Sequence, residues 1–341
     1  MTIYDIAKQA GVSASTVSRV INRKPGISEA TRNKVQKLLD ENHYNPDVNA
    51  RGLVMQSSWT VGILIEDIRV SLHTDTVYLI EQELMERGYT CITLSTGPSV
   101  EKKQELIRLM EQRRVDGVIM IGSMFGEEKD AQDGPIRSAI ASHLAETPVI
   151  LVNGDLKLPN VWCIVSDEER GTEDSVAYLI RQGKRHIAYM MDVDTPSNHL
   201  KRAGFKSGCL KYAEDMPVRI YQAPGIDISP TDSVARGSKA AKEICRLYPD
   251  TDAIMCSTDM MSIGCIQGLK ELGRRIPEDI AVMGVDNVLY GQLIYPTLTT
   301  LDNKIAHCGR IAARMLLDIL DGEEPVRKIL IPTEIISRES A

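Results

Sequence analysis

Apolar residues recur every three to four positions through the first forty residues and then give way to short continuous apolar runs. That change of period predicts a small helical head followed by a body of buried strands and covering helices. In the head, Ile3, Ile6, Ala7 and Ala10 share one face, Thr2 and Asp5 stand at capping-box spacing, and Gly11 closes the helix. Val12 plugs the turn, and Ser13 caps a second helix that ends near Asn22 and buries Val17, Val20 and Ile21. Ser28 opens a third helix, with Val35, Leu38 and Leu39 inward and Arg32, Lys34 and Lys37 outward. Beyond Tyr44-Asn45-Pro46, the stretch from Asp47 to Leu53 has a cap but is too short to be helical alone, so it folds only against something else.

The body falls into two series. VGILI, CITLS, GVIMIG and PVILVN alternate with helical patterns at about 74–87, 100–113 and 135–145; WCIVS, HIAYMM, VRIYQA, AIMCS and IAVMGVD alternate with others near 168–182, 198–213, 232–247 and 259–273. ILIPTEIIS reads as one last strand. The expected fold class is α/β: a three-helix, helix-turn-helix head and two doubly wound parallel-sheet lobes, with a cleft at the carboxyl ends of their strands. The chain of 341 residues, 43% hydrophobic, is long enough for both lobes beside the head.

Charge is sorted along the chain. Residues 1–58 hold eight Lys+Arg against five Asp+Glu, while the whole carries −7, so a basic head precedes an acidic body. The outward face of the second helix presents Ala14, Ser15, Thr16, Ser18, Arg19 and Asn22, with no large apolar group to keep it from a base edge. Together these point to double-stranded DNA as a partner. Seven cysteines without a C-x-x-C pair read as reduced thiols, not disulfides or zinc ligands, and no metal or cofactor is expected. With no secretion signal and no membrane-length apolar run, the chain is expected in the cytoplasm, away from any membrane. G-x-G, G-x-S-x-G and P-loop motifs are absent and the six histidines are scattered, which disfavours an enzyme.

The head reads TIYDIAKQAGVSASTVSRVIN, followed by T-R-x-x-V, Y-x-P and A-R-x-L motifs. In this it resembles the lactose-repressor and galactose-repressor family of bacterial transcription regulators, and the resemblance runs along nearly the whole chain. It implies that Ala14, Ser15 and Thr16 read bases, that Arg19 contacts guanine, and that Ser13, Ser18, Asn22, Thr31 and Tyr44 hold phosphates. The segment from Ala50 to Leu53 resembles the family's hinge helix, which wedges a leucine, here Leu53, into the minor groove. Asp47 departs from the family's Asn and puts a charge near the phosphates.

STDMMSIGCIQGLKELGRRIPEDIAVMGVDN and PTLTTLDN resemble the family's effector-binding segments, whose lobes are like sugar-binding periplasmic proteins. The resemblance implies a small-molecule effector between the lobes. Asp286 would accept hydrogen bonds from its hydroxyls, and Asp259 would fix the neighbouring loop. Other pocket positions depart from the pattern: Lys201 stands where Arg is usual with Arg202 one place along, Thr258 replaces Asn, Asn153 replaces Asp, Asp232 falls near the place where the family often has a ring-stacking aromatic, and Val70-Ser71-Leu72 replaces Asn-Pro-Phe. One reading is a polar, charged effector that is not a standard aldohexose; the other is a slipped alignment in which Arg202, Trp162 or Tyr221 restores the usual chemistry.

By resemblance the chain crosses between lobes near 159, 290 and 327. The expected domains are a head at 1–45, a hinge at 46–58, a first lobe of 59–159 with 304–327, and a second lobe of 160–289 with 328–341. The implied function is a repressor that binds a near-palindromic operator as a homodimer under allosteric control by the effector. No leucine heptad follows the last strand, so a dimer is expected over a tetramer. The alternatives are the same regulator answering to a partner protein, and a small-molecule-binding protein without a regulatory role.

Overall fold

The computed structural model describes residues 2–21, 25–42, 57–126, 134–213, 216–225 and 229–341, which form two units, 1–59 and 60–341. In the first unit, α1 (Ile3–Ala10), α2 (Ala14–Ile21) and α3 (Glu29–Glu41) enclose a core of Ile6, Ala7, Ala10, Val17, Val20, Val35 and Leu39. The caps are those expected from the pattern. Asp5 N–H donates to Thr2 Oγ1 at 3.3 Å while Thr2 N–H donates to Asp5 Oδ2 at 2.8 Å, and Gly11 ends α1 at φ 68°. Hydrogen bonding to Thr2 holds the Asp5 carboxyl below its ordinary value.

The second unit contains two six-stranded sheets. The first has the order β11-β5-β4-β3-β1-β2, from β1 (Thr60–Ile65), β2 (Thr90–Ser95), β3 (Gly117–Ile121), β4 (Val149–Val152), β5 (Val161–Ser166) and β11 (Lys328–Ile331), all parallel. The second has the order β12-β10-β9-β8-β6-β7, from β6 (Ile187–Met191), β7 (Arg219–Gln222), β8 (Ala253–Cys256), β9 (Ala281–Val285), β10 (Thr299–Asp302) and β12 (Glu334–Ile336). β12 is the antiparallel edge strand of that sheet. Central strands such as β3 and β8 are buried along their whole length, the continuous apolar type that a sheet covered on both faces requires.

Helices α4 (Ser71–Glu86), α5 (Val100–Gln112), α6 (Pro135–His143) and α12 (Ile305–Leu320) cover the first sheet. The second is covered by α7 (Glu168–Arg181), α8 (Pro196–Tyr212), α9 (Pro230–Leu247) and α10 (Asp259–Glu271), with a short turn of helix, α11, at Tyr290–Leu293. The helix-forming stretch at 305–320 was not among those read from the pattern. The signal was present: His307, Arg310, Arg314 and Asp318 mark one wet side at helical spacing, while Cys308, Ala312, Met315 and Leu316 pack on the first sheet and α4.

The lobe boundaries differ from the expected ones. A second lobe starting at 160 would include β5, but β5 pairs with β4 in the first sheet, Val149 facing Val161. The chain crosses after it, between Ser166 and Glu168. It returns after β10, between Asp302 and Ile305, not near 290. The expected last strand is two strands. Pro332 has no N–H to continue a ladder, so Lys328–Ile331 stays in the first sheet beside β5 and Glu334–Ile336 joins the second beside β10. Each crossing is thus one or two residues long.

Two helix pairs in the second lobe approach through glycine. At Gly264 a methyl group would overlap the carbonyl oxygen of Val234, and at Gly204 that of Glu169. We expect Gly264→Ala to lower the unfolding free energy by about 2–3 kcal/mol in urea denaturation, because backbone cannot yield as a side-chain tip can. An unchanged midpoint would mean that α9 and α10 do not need this distance.

Candidate functional site

In the first unit, the sequence Ser13-Ala14-Ser15-Thr16 builds the start of α2. Thr16 N–H donates to Ser13 Oγ at 3.1 Å, and the Ser13 hydroxyl also meets those of Ser15 at 2.7 Å and Thr16 at 2.9 Å. Val17 and Val20 are buried, so the opposite face carries Ser15 and Arg19 exposed, with Thr16 and Ser18 half-buried. Ala14 is half-buried, like Thr16 and Ser18, and packs partly against the head core. Thr31 meets Ser28 Oγ through its hydroxyl at 2.8 Å, at the start of α3. Tyr4, 73% exposed on α1, is an aromatic that the sequence reading passed over. Asn22, Tyr44, Asp47, Ala50 and Leu53 lie outside the described residues.

In the second unit, a cavity of about 150 Å³ lies where the strand ends of both sheets meet. A cavity of that size accommodates a single ring. From the first lobe it is lined by Glu66, Ser71, Leu72, His73 and Asn153; from the second by Asp192, Asn198, Lys201, Thr258 and Asp286. Glu168 and Asn303, which stand at two of the crossings, line it as well. A wider depression of about 880 Å³ lies beyond the wall formed by Asn153, Glu168 and Ser197.

The cavity wall is a continuous polar network. Ser197 Oγ–H donates to Glu168 Oε2 at 2.5 Å, and Lys201 Nζ lies 3.6 Å from Glu168 Oε1 while donating to the carbonyl of Ser257 at 3.0 Å. Asn198 Nδ2 donates to Asp192 Oδ1 at 3.0 Å and to the carbonyl of Val193 at 2.6 Å. Asn303 Nδ2 donates to Asp286 Oδ1 at 2.9 Å. Burial pulls the Lys201 ammonium down, but Glu168, Asp286 and Asp192 outweigh it and hold it above its ordinary value. Burial pushes the Asp286 carboxyl well up, against the pull of Lys201.

Backbone strain is concentrated here. Asn153, Asp286 and Asn287 have φ of 60°, 114° and 57°, in the region that side chains avoid. Such positions cost about 1–3 kcal/mol each and persist where the surroundings over-determine them.

Residues 2–47 match the bacterial regulatory proteins of the lacI family, and residues 176–341 match the periplasmic binding protein-like domain. An HTH-type transcriptional regulator of Lachnoclostridium phytofermentans is 31% identical over 340 residues, covering 100% of this chain and 99% of that protein. The chain belongs to the LacI family. It is a DNA-binding transcriptional regulator. The HTH-type transcriptional repressor PurR of Vibrio atlanticus is 30% identical, covering 99% of this chain and 98% of its own. Among solved structures, a transcriptional regulator CelR-cellobiose complex matches with TM-score 0.69 and 26% identity over 100% of both chains. The lac repressor dimer bound to operator and the anti-inducer ONPF matches with TM-score 0.85 and 24% identity, over 100% of this chain and 98% of that one, a likeness of fold.

Of the effector positions that the LacI resemblance implied, Asn153, Lys201, Thr258 and Asp286 line the cavity. Three do not. Arg202 follows Lys201 on α8 and is turned about 100° away from it. Asp232, in the first turn of α9, pairs with Arg236 through Oδ2 at 2.6 Å from Nε. Asp259 is wholly buried behind the cavity: its Oδ1 accepts from Thr300 Oγ1 at 2.6 Å and its Oδ2 from Val288 N–H at 2.8 Å, so it fixes the loop after β9. Nor does the slipped alignment rescue the usual chemistry. Trp162 sits in the first-lobe core with its indole N–H on the carbonyl of Pro325 at 3.3 Å, and Tyr221, on the edge strand β7, packs partly against the second-lobe core.

The pattern missed Glu66, Glu168, Asp192, Asn198 and Asn303. A signal was present for three of them, because Glu66, Asp192 and Asn303 each directly follow a strand end, where open α/β sheets bind ligands.

Burial raises the Asp259 carboxyl to about 7, partly offset by its hydrogen bonds to Thr300 and Val288. A carboxyl raised by folding stabilises the protein fully below its unfolded value and loses that contribution as pH rises through the folded one. We therefore expect the stability of wild type relative to Asp259→Asn to fall by about 3 kcal/mol between pH 4 and pH 7, since the full slope of about 1.36 kcal/mol per unit is reached only inside that window. Urea melts across that range check it; a flat difference would mean that Asp259 is ionised in the fold.

Proposed function

We propose that this LacI-family regulator is a repressor that holds a near-palindromic operator as a homodimer and adjusts that hold according to a small polar ligand between its lobes. The observation that carries the reading is the position of Glu168 and Asn303: both line the cavity, and both stand at places where the chain crosses between lobes. A ligand touching them senses the arrangement of the lobes directly. If it binds two arrangements with unequal affinity it shifts their populations, and equal affinity would shift nothing.

On the DNA side, Ala14, Ser15, Thr16 and Arg19 face the bases, and Ser13, Ser18, Asn22, Thr31 and Tyr44 supply phosphate contacts. Leu53, with Ala50 before it, enters the minor groove at the operator centre, where a flexible pyrimidine–purine step favours the kink. Two apolar patches support self-association. Leu289, Tyr290, Leu293 and Tyr295 are 60%, 49%, 71% and 77% exposed in the second lobe, and Tyr78 and Met85 are 59% and 63% exposed on α4 in the first. Among the described residues no helix is long and apolar enough to cross a membrane.

Selection of duplexes from a random pool by the full chain, with and without a metabolite panel, tests the whole reading. The expected outcome is a two-fold related site whose affinity changes with at least one metabolite; an unchanged affinity throughout would remove ligand control. Against the selected site, Arg19→Ala is expected to lose about 1–3 kcal/mol and to relax preference at one base pair in each half. Leu53→Ala should weaken that site far more than random duplex, measured by titration at fixed salt.

A further inference from the structure

The chemistry of the ligand follows from the balance of donors and acceptors on the cavity wall. Much of the amide and ammonium donor capacity is already engaged. Asn198 Nδ2 is committed to Asp192 and Val193, Asn303 Nδ2 to Asp286, and Lys201 Nζ to Ser257 and Glu168. The carbonyl oxygen of Asn198, in a residue 4% exposed, is itself enclosed by protein and has no hydrogen-bond partner among the described residues. Its orientation is fixed, since turning the amide over would set that oxygen against the Asp192 carboxylate and the Val193 carbonyl.

Charge is out of balance in the same direction. Lys201 faces Glu168, while Asp192, 6% exposed, and Asp286 have no cation within ion-pair distance among the described residues. Beyond its ammonium and Glu168 the wall thus holds Asp192, which is buried, and Asp286, which is half-buried, with Glu66 as a third carboxylate and the imidazole of His73 from the first lobe. From this we infer that the ligand is a small organic cation, a primary amine on a hydroxylated frame no larger than a single ring. The inference rests on the ligand-controlled reading above and names the ligand class of that same cavity.

A neutral polyol would offer hydroxyl donors but would strip water from Asp192 and Asp286 without replacing the charge that water screened. An ammonium brings three donors and a full compensating charge, and the hydroxyls of Ser71 and Thr258 can pair with those of the frame. A phosphate or carboxylate would meet two like charges. The raised Asp286 carboxyl fits this arrangement. Burial is the largest cause, Lys201 from α8 opposes it, and the carboxyls of Asp259 from α10, Glu168 from α7 and Asp192 from the end of β6 add to it, so an arriving cation favours the ionised form.

The test is thermal melting of the full chain against matched pairs: D-glucosamine with D-glucose and N-acetyl-D-glucosamine, and 2-amino-1,3-propanediol with glycerol, plus D-glucose 6-phosphate as the anionic arm. In at least one pair the amine should half-saturate the shift at a concentration tenfold or more below its neutral counterparts. An equal or stronger response to the neutral or phosphorylated compounds overturns the inference, and so does silence from both amines. A second measurement needs no ligand: Asp286→Asn should raise the melting temperature of the free protein, and a fall shows that the carboxylate is not in excess. Operator selection on the same preparation separates the outcomes, because the ligand-controlled reading survives if a neutral or anionic metabolite changes operator affinity.

Discussion

Glu168 and Lys201 are 1% and 5% exposed in their side chains with 3.6 Å between Oε1 and Nζ, and the cleft is organised around keeping these two charges accompanied. At that distance the pair alone does not offset the water each has lost. Glu168 therefore takes the hydroxyl of Ser197, and Lys201 takes the carbonyl of Ser257 at the end of β8. These partners come from different elements of the second lobe, and Asn153 Nδ2 of the first lobe approaches Glu168 Oε1 at 3.5 Å. Removing either charge leaves the other buried without compensation. The same contacts hold the start of α7, the middle of α8 and the end of β4 in register around the cavity.

Much of the architecture was legible because burial writes itself as a period. The helices of the head follow from Ile6, Val17 and Val35 at their spacings, and the sandwiched strands from runs such as VILV that are apolar without alternation. The lobe assignment of β5 and β11 was not legible. Both are short, fully or partly apolar strands beside a one- or two-residue crossing, and nothing in their composition says which sheet they extend. The division at Pro332 was visible in principle, since a proline inside ILIPTEIIS already argues against one continuous strand.

The cavity was half legible. Asn153, Lys201, Thr258 and Asp286 line it, as expected from the family's motifs, but Arg202, Asp232 and Asp259 do not. Motif spacing locates a residue along a helix to within one place, whereas a step of one place turns a side chain by about 100°. Asp259 shows a different limit: a buried aspartate that receives Thr300 and Val288 is as constrained as one that touches a ligand, and sequence does not distinguish the two duties.

The brevity of the three crossings has a mechanical consequence. Pro332 and Thr333 alone separate Ile331 in the first sheet from Glu334 in the second, a reach on the order of 11 Å even when fully extended. Asp167 alone, and Asn303 with Lys304, make the other two links. Three such short tethers leave no slack for the lobes to slide apart, so any change in their arrangement has to be taken up as backbone rotation at these five residues.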